Sequence, residues 1–377
     1  MKTDIMMRRK GLRNMKEFLE INNPYTLQFS FIPPRLIDRS GVTSEIVDNF
    51  ARPLPTYRGM FITGVRGSGK TVMLGAIRKK FEATKDWITV DLNPEDDLLN
   101  ALARALYIIP ELQALFFEAR LDFSALGIGF HIENAKLVAS NDQDAVKLML
   151  KTLKKSKKKL LVTIDEITYS KDVSRFSHAL SSFSNEGYDI YLLMTGLVEN
   201  IREIKNEKSL TFLYRAKAKE LDVLNITAIR NDYQSVLKLS REKAEELAYI
   251  TRGYSLGFQA LGYHYWNALC ASNDTVDIDA VCHKLDLTLS ELAYEKIWEE
   301  FSARDKEILN AMSLCLTARE NSWIKVEEIR NKLGISSNVF TKYRSRLLDS
   351  GVVDGSNYGH LRFKLPRFEQ FVMDRKW

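Results

Sequence analysis

Gly59-Met60-Phe61-Ile62-Thr63-Gly64-Val65-Arg66-Gly67-Ser68-Gly69-Lys70-Thr71-Val72-Met73-Leu74 joins a short apolar run, a glycine-rich turn and a helical pattern. Gly64, four further residues and Gly69-Lys70-Thr71 have the spacing of a Walker A phosphate loop. Glycine permits the backbone curl in which successive N–H groups point inward at phosphate oxygens. On this reading Gly64, Val65, Arg66, Gly67, Ser68, Gly69, Lys70, Thr71 and Val72 line a nucleotide. Lys70 reaches the β and γ phosphates, the Thr71 hydroxyl meets Mg2+, and the helix starting near Lys70 aims its positive dipole end at the same group. The plain alternative is a glycine turn that binds nothing. A legible strand before it and a legible helix after it weigh against that.

Working outward, the next chemical signal is Leu160-Leu161-Val162-Thr163-Ile164-Asp165-Glu166, a buried-type strand ending in two acids. An acidic pair after a strand is common by chance. Downstream of a complete Walker A it reads as Walker B, because parallel α/β sheets gather their ligands at the carboxyl ends of their strands. Asp165 then holds the Mg2+ shell and Glu166 orients and polarises the attacking water. A further apolar strand at 188–194 ends in Thr195-Gly196, where Thr195 either senses the γ-phosphate or caps the next helix. Arg215, in Leu213-Tyr214-Arg215-Ala216, is the candidate arginine finger, acting on a nucleotide of its own or a neighbouring subunit. Arg202 competes less well, and a surface ion pair is the bland alternative.

Upstream, residues 1–30 are polar and basic with one helix expected near 15–21, and Phe31-Ile32-Pro33-Pro34 fixes an extended segment. Ile37 and Arg39 are candidates to lie beside an adenine; a docking arm without ligand contact is the alternative. Helices are expected at 43–50, 70–84 and 96–119, the last broken at Pro110, with a strand at 87–92. Residues 120–133 alternate apolar and polar around glycines, the pattern of an inserted β-hairpin. The helix at 143–156 ends in Lys151, Lys154, Lys155, Lys157, Lys158 and Lys159. A solvated face complementing the helix dipole is preferred there over a nucleic-acid patch.

Composition sets the outer bounds. A chain of 377 residues exceeds one ordinary core and points to two or three domains. Its 55 basic and 49 acidic residues leave a formal charge of +6, a weak argument for an acidic partner. Cys270, Cys282 and Cys315 are widely spaced, with neither disulfide nor zinc spacing. No apolar run of membrane-spanning length and no leader pattern is present, so a cytoplasmic protein without a membrane partner is expected.

Residues 227–298 read as a small helical lid, in which Tyr254, Phe258, Tyr263, Tyr265 and Trp266 are assigned to the core rather than to base stacking. Beyond it come three helices, the third at 339–348, and two strands flanking Gly355-Ser356-Asn357-Tyr358-Gly359, which is the order of a winged helix-turn-helix. Residues 304–377 hold 14 Lys/Arg and 9 Asp/Glu, so +5 of the excess charge lies here. Lys342, Arg344 and Arg346 on the third helix and Arg362 and Lys364 on the wing are candidates for double-stranded DNA. A winged helix used as a protein-partner module is the alternative.

Together these segments resemble an AAA+ type P-loop ATPase, nearest to the origin-recognition-like and archaeal-type ATPases with a C-terminal winged helix. The resemblance implies an α/β fold with a parallel sheet of order 5-1-4-3-2, an adenine nucleotide (ATP or ADP) with Mg2+, and switching between nucleotide states that reorients lid and winged helix. It also allows oligomerisation on nucleotide binding. The expected domains are an N-terminal arm (1–30), a P-loop ATPase domain (31–225), a helical lid (226–300) and a winged helix-turn-helix domain (301–377). One departure stands out: such initiators carry a lid arginine aimed at the γ-phosphate, whereas residues 253–259 contain none and only Arg252 is near. Slow turnover or a nucleotide-held switch is the expectation. A nucleotide-dependent signalling ATPase whose winged helix holds a protein partner is the competing one.

Overall fold

The computed structural model describes residues 22–28, 32–129, 131–271, 275–316 and 323–375. The helix expected near 15–21 and Phe31 lie outside them. The chain divides into two compact units: Ser40–Gly64 with Lys70–Leu221, and Met1–Arg39 with Val65–Gly69 and Asp222–Trp377.

The first unit is built on a sheet of β1 (Gly59–Thr63), β2 (Trp87–Leu92), β5 (Lys159–Ile164), β6 (Ile190–Gly196) and β7 (Lys217–Glu220). Their spatial order is β2-β5-β6-β1-β7, all parallel, which in chain order is the expected 5-1-4-3-2. Every residue of β1 and β6 is buried, as befits parallel strands covered on both faces. Side-chain alternation sorts them into two layers. Phe61, Val162 and Leu192 face a core shared with Leu102, Met149 and Phe176, while Met60, Ile62, Leu161 and Leu193 face Ile46, Phe50, Met73 and Ile77. At the margin, β7 reads Lys-Ala-Lys-Glu and alternates half-buried with exposed, the charged edge that discourages pairing with another chain.

The insertion departs from expectation. β3 (Leu121–Asp122) pairs with β4 (Leu137–Val138) in parallel, so 120–133 is not a hairpin. Its alternating pattern belongs to a loop whose glycines adopt positive φ, +66° at Gly127 and +70° at Gly129. The organiser is Asp122, fully buried, which accepts from the Ser124 and Ile132 amides and pairs with His131. The Ser124 hydroxyl first, then the Ile132 and Ser124 amides, hold its carboxyl well below the usual range. In the lysine run, Lys158 pairs with Glu111, and Lys154 and Lys159 lie over the rings of Tyr188 and Trp87, so part of that charge packs locally.

The second unit holds the lid helices Ile226–Val236, Arg241–Ile250, Ser255–Ala271 and Ile278–Leu289, a single π-helical turn Ser290–Tyr294, and Glu295–Glu299. Helices Ala303–Leu316, Val326–Leu333 and Ser337–Asp349 follow, then β9 (Val353–Asp354), β10 (His360–Phe363) and a last helix Phe368–Met373. Sheet order β8-β10-β9, antiparallel, adds β8 (Ile324–Lys325) to the two strands expected of the wing. One apolar core runs from Tyr233, Phe258 and Leu285 through Tyr294 and Trp298 to Ile308, Phe340 and Phe368. Tyr254, Phe258 and Tyr265 are buried in it, and Tyr263 and Trp266 pack against it. Tyr25 enters the same core; its hydroxyl donates to Asp232 at 2.7 Å, and a Cβ on Gly262 would stand 2.6 Å from its ring. Among the described residues no helix is long and apolar enough to cross a membrane.

Candidate nucleotide site

The chemistry collects at the carboxyl ends of β1, β5 and β6, where parallel strands release their chains. β1 ends at Thr63, and the next helix starts at Lys70. Lys70 is buried, with its ammonium donating to the Gly64 carbonyl at 3.0 Å, so the charge points back across the loop's own mouth. Thr71 Oγ1 donates to Asp165 Oδ2 at 2.6 Å, uniting the ends of Walker A and Walker B.

Thr195 gives a clearer role than either sequence alternative. It is fully buried, its hydroxyl donates to Asp165 Oδ1, and the same oxygen accepts from the Glu166 amide at 2.9 Å. The Ile167 amide closes on the Thr195 carbonyl at 2.9 Å. Thr195 therefore clamps the turn after β5 and aims the Asp165 carboxylate. It does not cap the following helix, whose N-cap is Leu197 without a side-chain bond. Glu166 is exposed and sits at φ +54°, a left-handed conformation unusual for a non-glycine residue. The clamp on its amide holds that backbone while the Glu166 side chain is exposed.

The loop apex, Val65–Gly69, belongs by packing to the second unit. There Arg39 donates to the Ser68 carbonyl at 2.9 Å, the Asp222 carbonyl at 3.0 Å and Ser255 Oγ at 3.0 Å. Burial pulls its guanidinium down to about 10, with Asp222 opposing. Arg39 Nε and Ser68 Oγ are buried without a hydrogen-bond partner. Orphaned polar atoms of this kind call for an explanation, and a polar ligand at the loop supplies one. Within the first unit, the hydroxyl and carboxylate already in contact at Thr71 and Asp165 are donors of the kind that Mg2+ takes beside a nucleotide.

Other candidates are placed differently. Arg215 ends the helix Thr211–Arg215 with its side chain exposed. Arg252 makes a fork on the Phe363 and Leu365 carbonyls and Glu369, so it ties down the segment after β10. On the 337–349 helix, Arg346 pairs at 2.7 Å with Asp305, which is fully buried and leaves Oδ1 unbonded. Arg362 pairs with Asp354 at 2.7 Å and lies 4.3 Å over the Trp323 ring. Lys342 is exposed, and Arg344 and Lys364 are half-buried. Sequence reasoning missed Ser255, Tyr254 and Asp305. The first two carry no motif signal, and the third is one acid in an ordinary amphipathic helix.

Residues 267–372 match a family described as Domain of unknown function (DUF8462). No curated protein matches the chain. Among solved structures, the Aeropyrum pernix ORC2 protein in its ADPNP–ADP complexes is 15% identical, with a TM-score of 0.61 over 92% of this chain and 96% of that one. The Walker-type ATPase of Pyrococcus abyssi is also 15% identical, with a TM-score of 0.59 over 90% of this chain and 96% of that one. Parallel-sheet order and these likenesses agree on the fold: the chain is folded like the Aeropyrum pernix ORC2 protein and the Pyrococcus abyssi Walker-type ATPase.

Proposed function

We propose that this protein is an ATP-binding, ATP-hydrolysing switch whose winged helix engages double-stranded DNA. The observation that carries the nucleotide part is the bonded set Thr71–Asp165–Thr195–Glu166, with Lys70 turned across the loop beside it. Lys70 binds the β and γ phosphates, and the loop amides cradle them. Mg2+, when bound with ATP, would supply positive charge between the phosphates, with Thr71 and Asp165 as its protein ligands. Glu166, its side chain exposed, holds and polarises the attacking water. Thr195 positions Asp165 and does not itself accept charge. Arg215, exposed at a helix end, is available to a nucleotide on a neighbouring copy, the arrangement an oligomer formed on nucleotide binding would need. The fold likeness to nucleotide complexes supports ATP and ADP as ligands.

Equilibrium titration with a fluorescent ATP analogue and a phosphate-release assay test this reading. Glu166→Gln should keep ATP and lose turnover by about 10²-fold or more. Wild-type turnover in that variant would remove Glu166 from the water-activating role.

For DNA, the supporting feature is the surplus of basic side chains on the 337–349 helix and wing, with Lys342 exposed on it. The internal pairing of Arg346 and Arg362 favours a second reading, in which the winged helix holds a protein partner and its arginines maintain the module. Duplex titration at low salt in the ATP and ADP states separates the two. Binding in neither state would favour the partner.

A further inference from the structure

The curl of a phosphate loop turns its amides inward and its carbonyls outward, so whatever bonds the outer carbonyls decides how well the curl is held before a ligand arrives. Here each outer carbonyl from Arg66 to Ser68 is held by the start of one lid helix. Tyr254 Oη donates to the Arg66 carbonyl at 2.6 Å, the Leu256 amide to Gly67 at 3.1 Å, and Ser255 Oγ to Ser68 at 2.8 Å. The fit leaves no slack. Gly67 lies at φ +70°, and a Cβ there would stand 2.2 Å from Tyr254 Oη. Burial holds the Tyr254 phenol well above its usual range, so it remains a donor at any working pH.

Tyr254 leads away from the loop. Its ring stacks on Tyr294, centroids 6.4 Å apart and planes at 25°. Tyr294 Oη donates to the Pro366 carbonyl at 2.6 Å, and its ring meets Phe368 edge-on at 4.9 Å and Phe371 at 5.6 Å. Tyr294 reaches both neighbours from the π-helical turn Ser290–Tyr294, a geometry that costs helix hydrogen-bond quality and concentrates at functional positions. Two residues before Tyr254, Arg252 forks onto the Phe363 and Leu365 carbonyls and Glu369. On the loop's other side, a Cβ on Gly351, between the 337–349 helix and β9, would stand 2.4 Å from Val65 Cγ1.

We infer that the loop apex is itself the transmitter: Tyr254, a positioning residue, grips it by the Arg66 carbonyl and passes its state through Tyr294 to residues 363–373, which close the winged helix. The inference rests on the nucleotide reading above and supplies it with a route that requires no lid arginine. Linkage makes the route reciprocal: if ATP orders residues 363–373, loosening the relay weakens ATP.

Hydrogen exchange of the full chain, with and without saturating Mg–ATP, tests it in wild type, Tyr254→Phe and Tyr294→Phe, with a thermal melt to confirm folding. In wild type, ATP slows exchange across 363–373. Both variants lose that slowing, and Tyr254→Phe weakens ATP about fivefold, the loss expected for one buried hydrogen bond. Tyr294→Phe, which removes a hydroxyl bonded to Pro366 and not to the loop, weakens ATP less. Folded variants that retain the wild-type slowing overturn the relay. So does a wild type that saturates with ATP while 363–373 exchange unchanged. A wild type that fails to bind ATP at all overturns the nucleotide reading instead, and the relay with it.

Discussion

Polar groups at the strand ends and basic groups on the 337–349 helix serve different masters. At the ends of β1, β5 and β6, Thr71, Asp165 and Thr195 bond one another and Lys70 bonds the Gly64 carbonyl, at or within a few residues of motif positions. On the 337–349 helix and β10, Arg346 and Arg362 bond carboxylates of the same unit, Asp305 and Asp354. A spacing rule such as Walker A specifies backbone shape and side-chain identity together, so it identifies chemistry. A count of arginines specifies charge alone, and charge can be used inward as readily as outward.

The largest effect should come from breaking the strand-end net at its cation. Lys70→Ala removes charge-assisted bonds to two phosphates, each contributing about 1.5–3 kcal/mol, so ATP affinity should fall by roughly 10²-fold or more with the melting curve little changed. Titration of the variant with labelled ATP checks this. Retained affinity would mean the loop binds by its amides alone.

Next in size is Arg346→Ala, which turns the comparison around. Asp305 would keep a buried carboxylate with its guanidinium gone, while the Ser302 amide and hydroxyl remain bonded to it. The charge left behind should destabilise the protein by about 2–3 kcal/mol, at or below the lower end of the range for a broken buried pair because the Arg346 side chain is 44% exposed. Urea unfolding measures it, and Asp305→Asn should restore much of the loss when combined with Arg346→Ala. An unaltered unfolding midpoint in Arg346→Ala would return this arginine to the candidates for DNA.

Thr195→Val should be smaller again. It keeps shape and removes one hydroxyl, leaving Asp165 and the Glu166 amide each short of a partner. Stability should fall by about 1–3 kcal/mol, and phosphate release should slow while ATP affinity holds. A valine variant with wild-type turnover would make Thr195 a packing residue.

Much of this was legible in the sequence because parallel strands are read twice, once as buried apolar runs and once by the motif at each end. The strand 87–92 and the meeting of Thr71 with Asp165 follow from those signals, while the sheet order came from the family resemblance. The 120–133 pairing did not, since alternation around glycines looks alike in a hairpin and in a loop wound about a buried carboxylate such as Asp122. Tyr25, Tyr254 and Asp305 were hidden for another reason. Their partners lie 207, 188 and 41 residues away in the chain, at Asp232, Arg66 and Arg346, and no local period encodes such a pairing.

The smallest expected effect is the one that decides what the basic face is for. Lys342 is exposed on the 337–349 helix, and its substitution leaves no buried group stranded. Lys342→Ala should therefore shift stability by less than about 0.5 kcal/mol. If the helix meets a duplex, losing one phosphate contact should lower the slope of log affinity against log salt by about 0.9 and weaken binding severalfold at low salt. Fluorescence anisotropy with a labelled duplex over a salt series reads both numbers from one set of curves. A slope unchanged in Lys342→Ala, with wild-type affinity, would place any DNA contact elsewhere on the chain and move this helix toward the partner reading, because Arg346 on the same helix already pairs with Asp305.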